Sequence, residues 1–385
     1  MASNNLPVVT VNEFVNIIKQ QIVEGNKRPI FGLGKGGIGK TEAIRDLAVK
    51  ELKIGYIDIR LLLYNEVDLK GIPYPNENKT ATIWLQNNVL PKEEVDGEQG
   101  ILVLDEITSV ARSVRTAAYQ LLNERQLGEY KLPDGWLVVC LGNGEEDGGD
   151  FQGTEGNFAN RCSVYNVIPS VDIWKEWAYK NNVNPLVTAF VSWMPDKIHT
   201  YDDNEATTNL LFASPRSWKA VSDILNCYPN VDFNSEDSKI IRLRIMGNLG
   251  TVVGAQFITF AKLQDSELDY NGILNGTVKP NFNNSIEKIY IAIQGVLKLV
   301  GDTVELDFSS SGSVTSNTLI KVSNVIKWIL TLNRLEDKVL GISDLMKTLD
   351  KVKPGASVKI ILNPEFSRVC PEIVTFASEN TEIFK

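Results

Sequence analysis

Apolar residues recur along the chain in two patterns, and the alternation between these patterns outlines the fold. Residues 11–24 carry apolar side chains at helical spacing, which predicts an amphipathic helix. Short and almost wholly apolar runs, typical of strands buried on both faces, then alternate with helical segments up to about residue 168. This alternation predicts a parallel sheet covered by helices on both faces. The predicted strands are 29–33, 54–59, 101–104 and 136–141, and the predicted helices are the segment from Glu42 to Leu52 and residues 113–124.

The pattern changes at about residue 169, where helical periodicity continues with no obvious strand between the helices. Residues 269–283 are rich in Gly and Asn, which predicts a linker or an extended loop. We therefore expect an α/β domain over 1–170, an all-helical domain over 171–264 and a mainly helical region over 265–385. The predicted helices after residue 170 are 172–181, 185–194, 215–226, 239–263, 285–300, 317–332 and 342–352.

A glycine-rich segment between the first predicted strand and the next helix fits the pattern Gly, four residues, Gly-Lys-Thr. Its glycines let successive backbone N–H groups face phosphate oxygens, while Lys40 reaches the β- and γ-phosphates and the Thr41 hydroxyl binds Mg²⁺. The following helix directs the positive end of its dipole at the same anion. The segment predicts a nucleotide triphosphate site, the alternative being an ordinary Gly-rich turn. The predicted binding residues are Gly34, Lys35, Gly36, Gly37, Ile38, Gly39, Lys40, Thr41 and Glu42.

Two further predicted strands end in polar residues, where ligands of open α/β sheets gather. The run 101–104 is followed by Asp105, a candidate Mg²⁺ ligand, and by Glu106, a candidate base that polarises the attacking water. The run 136–141 is followed by Gly142 and by Asn143, which is suited to hold that water or to sense the γ-phosphate. A strand that ends in an acidic turn, or in an Asn-Gly turn, is the structural alternative at these positions.

Two arginines are candidates for stabilising charge on a transferring phosphoryl group. Arg161 follows the last predicted strand and precedes the segment 164–168, and Arg216 opens a helix in the second predicted domain. Taken singly, arginines at such positions are more often solvated or paired with a carboxylate.

Composition narrows the chemistry further. The net charge of −9 does not favour unspecific binding to polyanions, and His199, the only histidine, leaves no basis for a His-based triad. The four cysteines are widely spaced, without the pairing of a metal site. The beginning of the sequence has no leader-like pattern and no apolar run reaches membrane length, so we expect a cytoplasmic protein without a membrane partner.

With these motifs in this order, the chain resembles the AAA+ ATPases, and more narrowly their MoxR-like branch. The resemblance covers roughly residues 30–225. One departure stands out: the branch often has a proline in the phosphate loop, where this chain has Lys35-Gly36-Gly37. The stretches that carry the resemblance are 56–60, 68–73, 100–107, 117–122, 124–126, 132–136, 142–143, 159–161 and 214–218.

The resemblance implies an ATP hydrolase that uses ATP and Mg²⁺ and forms a homo-oligomeric ring, commonly of six subunits. It implies that Asn143 is sensor 1, that Arg161 is an arginine finger acting on the neighbouring subunit, and that Arg216 is sensor 2. It also implies an insertion near the pore over 67–100 and a hairpin over 127–134. A protein client and a von Willebrand factor A-type partner are implied as well. The other candidates for the finger are Arg112, Arg115 and Arg125.

Two alternatives stay open at this point. A nucleic-acid motor or loader, phage- or defence-related, would need a basic pore or a DNA-binding module, and the sequence shows no helix-turn-helix signature, zinc site or lysine-rich tail. A regulatory ring that binds ATP with little turnover would keep the phosphate loop, but the presence of Glu106 and Arg161 argues against it.

Overall fold

The computed structural model describes residues 6–85, 88–143, 161–201, 211–263, 268–280, 282 and 285–380. The chain divides into two compact units, and each is described by itself. The first unit comprises Met1–Ile173, His199–Leu210 and Ser214–Arg216. The second unit comprises Trp174–Ile198, Leu211–Ala213 and Ser217–Lys385.

The described strands of the first unit form one six-stranded sheet and two separate two-stranded hairpins. The strands at the middle of the sheet are the short apolar runs seen in the sequence, and their residues are buried because helices cover both faces. The strands are β1 (Val8–Thr10), β2 (Ile30–Leu33), β3 (Gly55–Arg60), β4 (Ile72–Pro75), β5 (Thr82–Leu85), β6 (Gln99–Asp105), β7 (Gln126–Leu127), β8 (Tyr130–Lys131), β9 (Gly135–Gly142) and β10 (Ser163–Ile168).

The sheet has the strand order β1-β10-β2-β9-β6-β3, and every neighbouring pair of strands is parallel. The predicted parallel sheet is therefore confirmed. Because parallel strands end at the same edge of a sheet, the segments that follow β2, β9 and β6 come together there. The glycine-rich segment, Asn143 and the Asp105-Glu106 pair are those segments.

Alternate residues of the central strands separate the two faces of the sheet. Ile101 and Val103 of β6 pack in one buried cluster with Phe14, whereas Leu102 lies in the other cluster with Leu121. The helices of the first unit are α1 (Val11–Val23), α2 (Lys40–Asp46, continued by a π-helical segment Leu47–Leu52), α3 (Glu66–Lys70), α4 (Glu93–Asp96) and α5 (Arg112–Glu124), with 3₁₀ turns at Leu61–Leu63 and Ile107–Ser109.

The rest of the described chain is helical, as predicted. Its largest aromatic cluster centres on Phe190, whose ring lies 5.3–5.4 Å from those of Trp218, Phe257 and Phe260. No described helix is both long enough and apolar enough to cross a membrane. The helices are α6 (Val171–Lys180), α7 (Pro185–Trp193), α8 (Pro215–Cys227), α9 (Lys239–Leu249), α10 (Thr251–Ala261), α11 (Tyr270–Asn275), α12 (Ile286–Ser311), α13 (Ser316–Leu330), α14 (Leu335–Val352), α15 (Ala356–Ile361), α16 (Pro364–Val369) and α17 (Glu372–Glu379), with 3₁₀ turns at Pro195–Ile198 and Glu236–Ser238.

Two predictions about the helical part were wrong in detail. The single helix expected over 239–263 is two helices, because Gly250 has φ +81° and ψ 163°, a conformation that ends α9 and begins α10. The segment 269–283, expected to be a linker or loop, contains the short helix α11. Asp269 caps this helix by accepting a hydrogen bond from Gly272 N at 2.8 Å.

Candidate active site

The glycine-rich segment forms a tight turn between the buried strand β2 and helix α2. Gly39 caps the helix with φ +93°, a left-handed conformation that side chains other than glycine rarely adopt. Lys40 is the first residue of α2 and is only 8% exposed. Its Nζ donates hydrogen bonds to Gly34 O at 2.6 Å and to Lys35 O at 2.9 Å. The ammonium is therefore held inside the loop that the sequence predicts to bind phosphate.

Two members of the predicted loop set have side chains that face away from this turn. Ile38 is 7% exposed and packs in the buried cluster that contains Phe14 and Val139. Glu42 lies in the first turn of α2 and is exposed. Ile38 can therefore contribute only its backbone to a ligand in the loop.

Thr41 and Asp105 lie in direct contact. Thr41 Oγ1 donates a hydrogen bond to Asp105 Oδ2 at 2.9 Å, and Glu106 N donates to Asp105 Oδ1 at 2.8 Å. Tyr56 OH donates to Thr41 O at 3.3 Å from the neighbouring strand β3. The hydroxyl and the carboxylate thus present two oxygen atoms side by side, next to Lys40 at the start of α2.

Glu106 has an unusual backbone. Its φ of +62° and ψ of 28° lie in the left-handed region, which costs a residue other than glycine about 1–3 kcal/mol when the surroundings enforce it. The residue follows β6 directly and begins the 3₁₀ turn Ile107–Ser109. The strained backbone turns the chain sharply at the end of the strand, and the sequence pattern gave no indication of it.

Asn143 lies beside the phosphate loop, at the end of β9. Its Oδ1 is 3.9 Å from the position that a Cβ atom of Gly36 would occupy. Asn143 N donates a hydrogen bond to the buried Thr108 Oγ1 at 3.1 Å. Thr108 packs so closely that a Cβ at Gly142 would lie 2.6 Å from its methyl carbon, so position 142 requires glycine. This close packing fixes where the Asn143 amide emerges.

Asp58 lies near the Asp105-Glu106 pair, and no sequence motif assigns it a role. It lies on β3, two residues before Arg60, the register partner of Asp105. Partial burial raises the pKa of the Asp58 carboxyl, and the charges of Asp105 and Glu106 raise it further, while Arg60 opposes the shift. The sequence signal that could have found Asp58 is an acidic residue on a predicted strand of the same sheet.

His199 is a second residue to which the sequence assigns no role, and it lies against the phosphate loop. Its Nε2 is 3.0 Å from Gly36 O, and Lys35 Nζ donates a hydrogen bond to Tyr201 O at 3.2 Å. Burial lowers the pKa of His199, and Lys35 and Lys40 lower it further, against the opposing effect of the Gly36 carbonyl. No sequence motif marks this contact, since 163 positions separate the two residues.

The start of helix α8 also lies against the loop. Ser214 Oγ is 3.1 Å from the position that a Cβ of Gly37 would occupy, and the Cβ of Arg216 is 3.8 Å from that position. Ser214 is buried, whereas Arg216 is exposed. The predicted Arg216 is therefore near the phosphate loop within the first unit.

Arg161 lies at a different edge of the sheet. It is exposed and precedes β10, whose first residue, Ser163, pairs with Ile30 at the amino end of β2. The four residues of β2 span about 13 Å, and Arg161 lies before the amino end of this strand, so it lies at the opposite edge of the sheet from the loop that follows β2. Residues 158–160 of the predicted motif lie outside the described part of the chain.

The other candidate fingers differ in how firmly they are held. Arg115 donates to Thr108 O and Val110 O, both at 3.1 Å. Arg125 donates to Pro133 O and Trp136 O, both at 2.8 Å, and burial lowers its pKa. These two guanidinium groups bind backbone carbonyls of their own chain. Arg112 is exposed.

The residues at this edge fit a magnesium-bound triphosphate in chemical type. Thr41 and Asp105 offer the oxygen ligands that Mg²⁺ prefers, and Lys40 is the positive group for phosphate oxygens. Among the described residues, no group of three or more His, Cys, Asp or Glu side chains is arranged to hold a metal ion by itself. A cation here would take its remaining ligands from phosphate and water, as Mg²⁺ commonly does.

Comparisons with known proteins give only distant likenesses. No family model matches the chain, and no curated protein matches it. A crystal structure of NtrX from Brucella abortus in complex with ATP is 12% identical over 99% of this chain and 69% of its own, with a TM-score of 0.36. The Holliday junction branch migration motor RuvB of Thermotoga maritima is 15% identical over 81% of this chain and 87% of its own, with a TM-score of 0.33. At such low identities and TM-scores, the function is inferred from the chain's own geometry.

Proposed function

We propose that the chain is an AAA+ ATPase of the MoxR-like branch, which hydrolyses ATP and uses the energy to remodel or assemble a protein client. The observation that carries this proposal is the hydrogen bond from Thr41 Oγ1 to Asp105 Oδ2 at 2.9 Å, formed beside Lys40. It unites the phosphate-loop motif with the acidic strand end in one site. The order of motifs in the sequence supports the assignment to this branch.

The binding roles follow from the chemistry of each group. The backbone N–H groups of the loop and Lys40 bind the phosphates, and Thr41 and Asp105 hold Mg²⁺. When bound, Mg²⁺ neutralises charge that develops on the β- and γ-phosphate oxygens. The Cβ of Arg216 lies 3.8 Å from the Cβ position of Gly37, which supports the proposed sensor 2 role.

Glu106 and Asn143 carry the hydrolytic step in this proposal. Glu106 accepts a proton from water as the water oxygen attacks the γ-phosphorus, and Asn143 orients that water with its amide. A new phosphorus–oxygen bond forms, the bond to the β-phosphate oxygen breaks, and ADP and inorganic phosphate leave. The backbone strain at Glu106 supports a functional role, because strained residues cluster at active sites.

The position of Arg161 supports a site completed by a second subunit. This exposed arginine lies at the amino-terminal edge of the sheet, away from the loop of its own subunit. We therefore propose that it acts on the nucleotide of a neighbouring subunit in a ring, most simply a hexamer. Arg115 and Arg125 are less suited, because both already bind backbone carbonyls.

The exposed hairpin β4–β5 supports a protein client. Ile72 and Tyr74 of β4 are 59% and 57% exposed, and Leu85 of β5 is 52% exposed. Exposed apolar and aromatic side chains on a surface hairpin are suited to bind protein segments. The resemblance to the MoxR-like branch adds a von Willebrand factor A-type partner, and it adds a lid function for the helical domain over 171–264.

The test compares nucleotide binding and hydrolysis in matched variants. Glu106→Gln keeps the shape of the side chain, so it should bind ATP normally but lose Mg²⁺-dependent hydrolysis by about 10²-fold or more. Lys40→Ala should lose binding, while Lys50→Ala, which removes an exposed lysine paired with Asp46, should leave both unchanged. Particle mass with and without ATP tests the ring.

Each outcome separates the proposal from its rivals. Hydrolysis by Glu106→Gln at the wild-type rate would remove Glu106 from its role. Binding without any turnover in the wild type would favour the regulatory ring. Hydrolysis stimulated by DNA, together with DNA binding that falls steeply with salt, would favour the nucleic-acid motor.

A further inference from the structure

The three residues that set this phosphate loop apart from the MoxR-like branch lie against two segments of the first unit: Lys35 and Gly36 contact residues 199–201, and Gly37 lies near Ser214. Lys35 Nζ bonds to Tyr201 O, Gly36 O lies 3.0 Å from His199 Nε2, and the Cβ position of Gly37 lies 3.1 Å from Ser214 Oγ. We call the residues 199–201 the clasp. Two hydrogen bonds join the clasp to the loop. Lys35 of the loop donates one to Tyr201 O, and His199 of the clasp donates the other to Gly36 O.

The hydrogen bond at Gly36 has a directional consequence. A carbonyl oxygen only accepts, so His199 Nε2 carries the proton and donates it. In a planar trans peptide, the C=O and the N–H point in opposite directions, and the Gly36 carbonyl shares its peptide with the Gly37 N–H. Holding the carbonyl against His199 therefore turns the Gly37 N–H away from the imidazole.

We propose that His199 is a positioning residue for nucleotide binding, which turns the Gly36–Gly37 peptide so that its N–H faces the bound phosphates. This inference rests on the proposed function. Gly37 has φ +77° and can rotate easily, so the loop needs an outside contact to fix this peptide. His199 is half-buried in the first unit and supplies that contact.

The experiment uses the full chain and measures the affinity for MgATP and MgADP by calorimetry. His199→Ala should weaken both affinities by about tenfold and by the same factor, because the peptide faces phosphates common to both nucleotides. His199→Gln places an amide N–H where Nε2 lies, so its affinities should stay within about twofold of wild type. Turnover at saturating ATP should change little in either variant.

The melting temperature of each variant separates positioning from a merely structural role. A lower melting temperature with unchanged affinities in His199→Ala would overturn the proposal, as would equal loss of affinity in His199→Ala and His199→Gln. If the wild-type protein bound no nucleotide, the proposed function would fail and this inference with it. If the wild type bound nucleotide and His199→Ala bound it equally well, this inference alone would fail.

Discussion

Thr41 Oγ1 donates a hydrogen bond to Asp105 Oδ2 across 2.9 Å, although 64 positions separate the two residues in the chain. The contact exists because β2 and β6 are parallel strands of one sheet on either side of β9, so that their carboxyl ends lie at the same edge. The hydroxyl and the carboxylate are thereby fixed relative to each other before any ligand binds. The pair is the part of the site that most directly predicts a metal requirement.

Replacing the Thr41 hydroxyl tests that requirement. Thr41→Val keeps the shape of the side chain but removes the oxygen, so the Mg²⁺ concentration for half-maximal ATP hydrolysis should rise at least about tenfold, equivalent to ~1.4 kcal/mol. Thr41→Ser keeps the hydroxyl and should stay close to wild type. A Mg²⁺ titration of the hydrolysis rate distinguishes them. Identical Mg²⁺ titrations of Thr41→Val and Thr41→Ser would show that the Thr41 hydroxyl does not hold the metal.

Mixing inactive subunits tests the role of Arg161. Arg161→Ala and Lys40→Ala should each abolish hydrolysis, the first by removing the finger and the second by removing phosphate binding. In mixed rings, an intact loop can meet an intact arginine, so part of the activity should return when the two variants are combined. If Arg125→Ala is inactive, the defect should lie within its own subunit, where Arg125 binds Pro133 O and Trp136 O, so mixing it with Lys40→Ala should restore no activity. The measurement is phosphate release, and no recovery for the Arg161→Ala mixture would refute a finger supplied by the neighbour.

The central strands could be predicted because each is an apolar run bounded by polar or glycine residues. Strand β1 could not, since it is only three residues long, begins at the exposed Val8, and is defined by pairing with β10 more than 150 positions later. The hairpin β4–β5 could not be predicted for a different reason. All of its strand residues are exposed, so no alternation of apolar and polar positions marks it.

The residues of the site also divide into those that the sequence predicts and those that it does not. Lys40, Thr41 and Asp105 could be predicted because each belongs to a local motif whose spacing reflects a chemical need. His199 could not be predicted, because it reaches the site through a tertiary contact alone, whereas Asp58 lies on a predicted strand beside the acidic pair and could have been found there. The backbone strain at Glu106 was equally hidden, since its neighbours enforce a conformation that its own sequence does not favour.

The titration of His199 can be followed without ambiguity, because it is the only histidine in the chain. In the free protein its pKa should lie below the ordinary value of 6.5, owing to burial and to the nearby Lys35 and Lys40. ADP brings negative charge to those lysines and should raise the pKa of His199. NMR of the imidazole measures both values. A pKa at or above 6.5 in the free protein, or one that ADP leaves unchanged, would contradict the placement of His199 beside the loop.

The same shift sets a direction for the pH dependence of stability. The folded-state pKa of His199 is lower than that of the unfolded chain, so the unfolded chain binds a proton first as the pH falls. The stability associated with neutral His199 is therefore present above about pH 6.5 and is lost as the pH falls from there through the folded-state pKa. His199→Gln should show a smaller loss of melting temperature over this interval than wild type.

A buried ion pair in the second unit gives a stability prediction that is independent of nucleotide binding. Lys175 Nζ lies 2.6 Å from Asp344 Oδ2, and both side chains are 1% exposed. Gln294 Nε2 donates to the same carboxylate oxygen at 2.7 Å, and Tyr179 OH donates to Gln294 Oε1 at 3.0 Å. The network joins helices α6, α12 and α14, so removing one charge affects the packing of all three helices.

Asp344→Asn should lower the free energy of unfolding by about 3–5 kcal/mol, because it leaves the Lys175 ammonium buried without a counter-charge. Lys175→Met combined with Asp344→Asn should recover most of that loss, since neither a buried charge nor a cavity then remains. Asp223→Asn is the matched control: it breaks an exposed pair with Lys219 on α8 and should cost less than about 1 kcal/mol. Urea unfolding, followed by both tryptophan fluorescence and circular dichroism, measures these differences. If the double variant were as unstable as Asp344→Asn alone, the loss would come from packing around residue 344, and the unpaired ammonium would not be its cause.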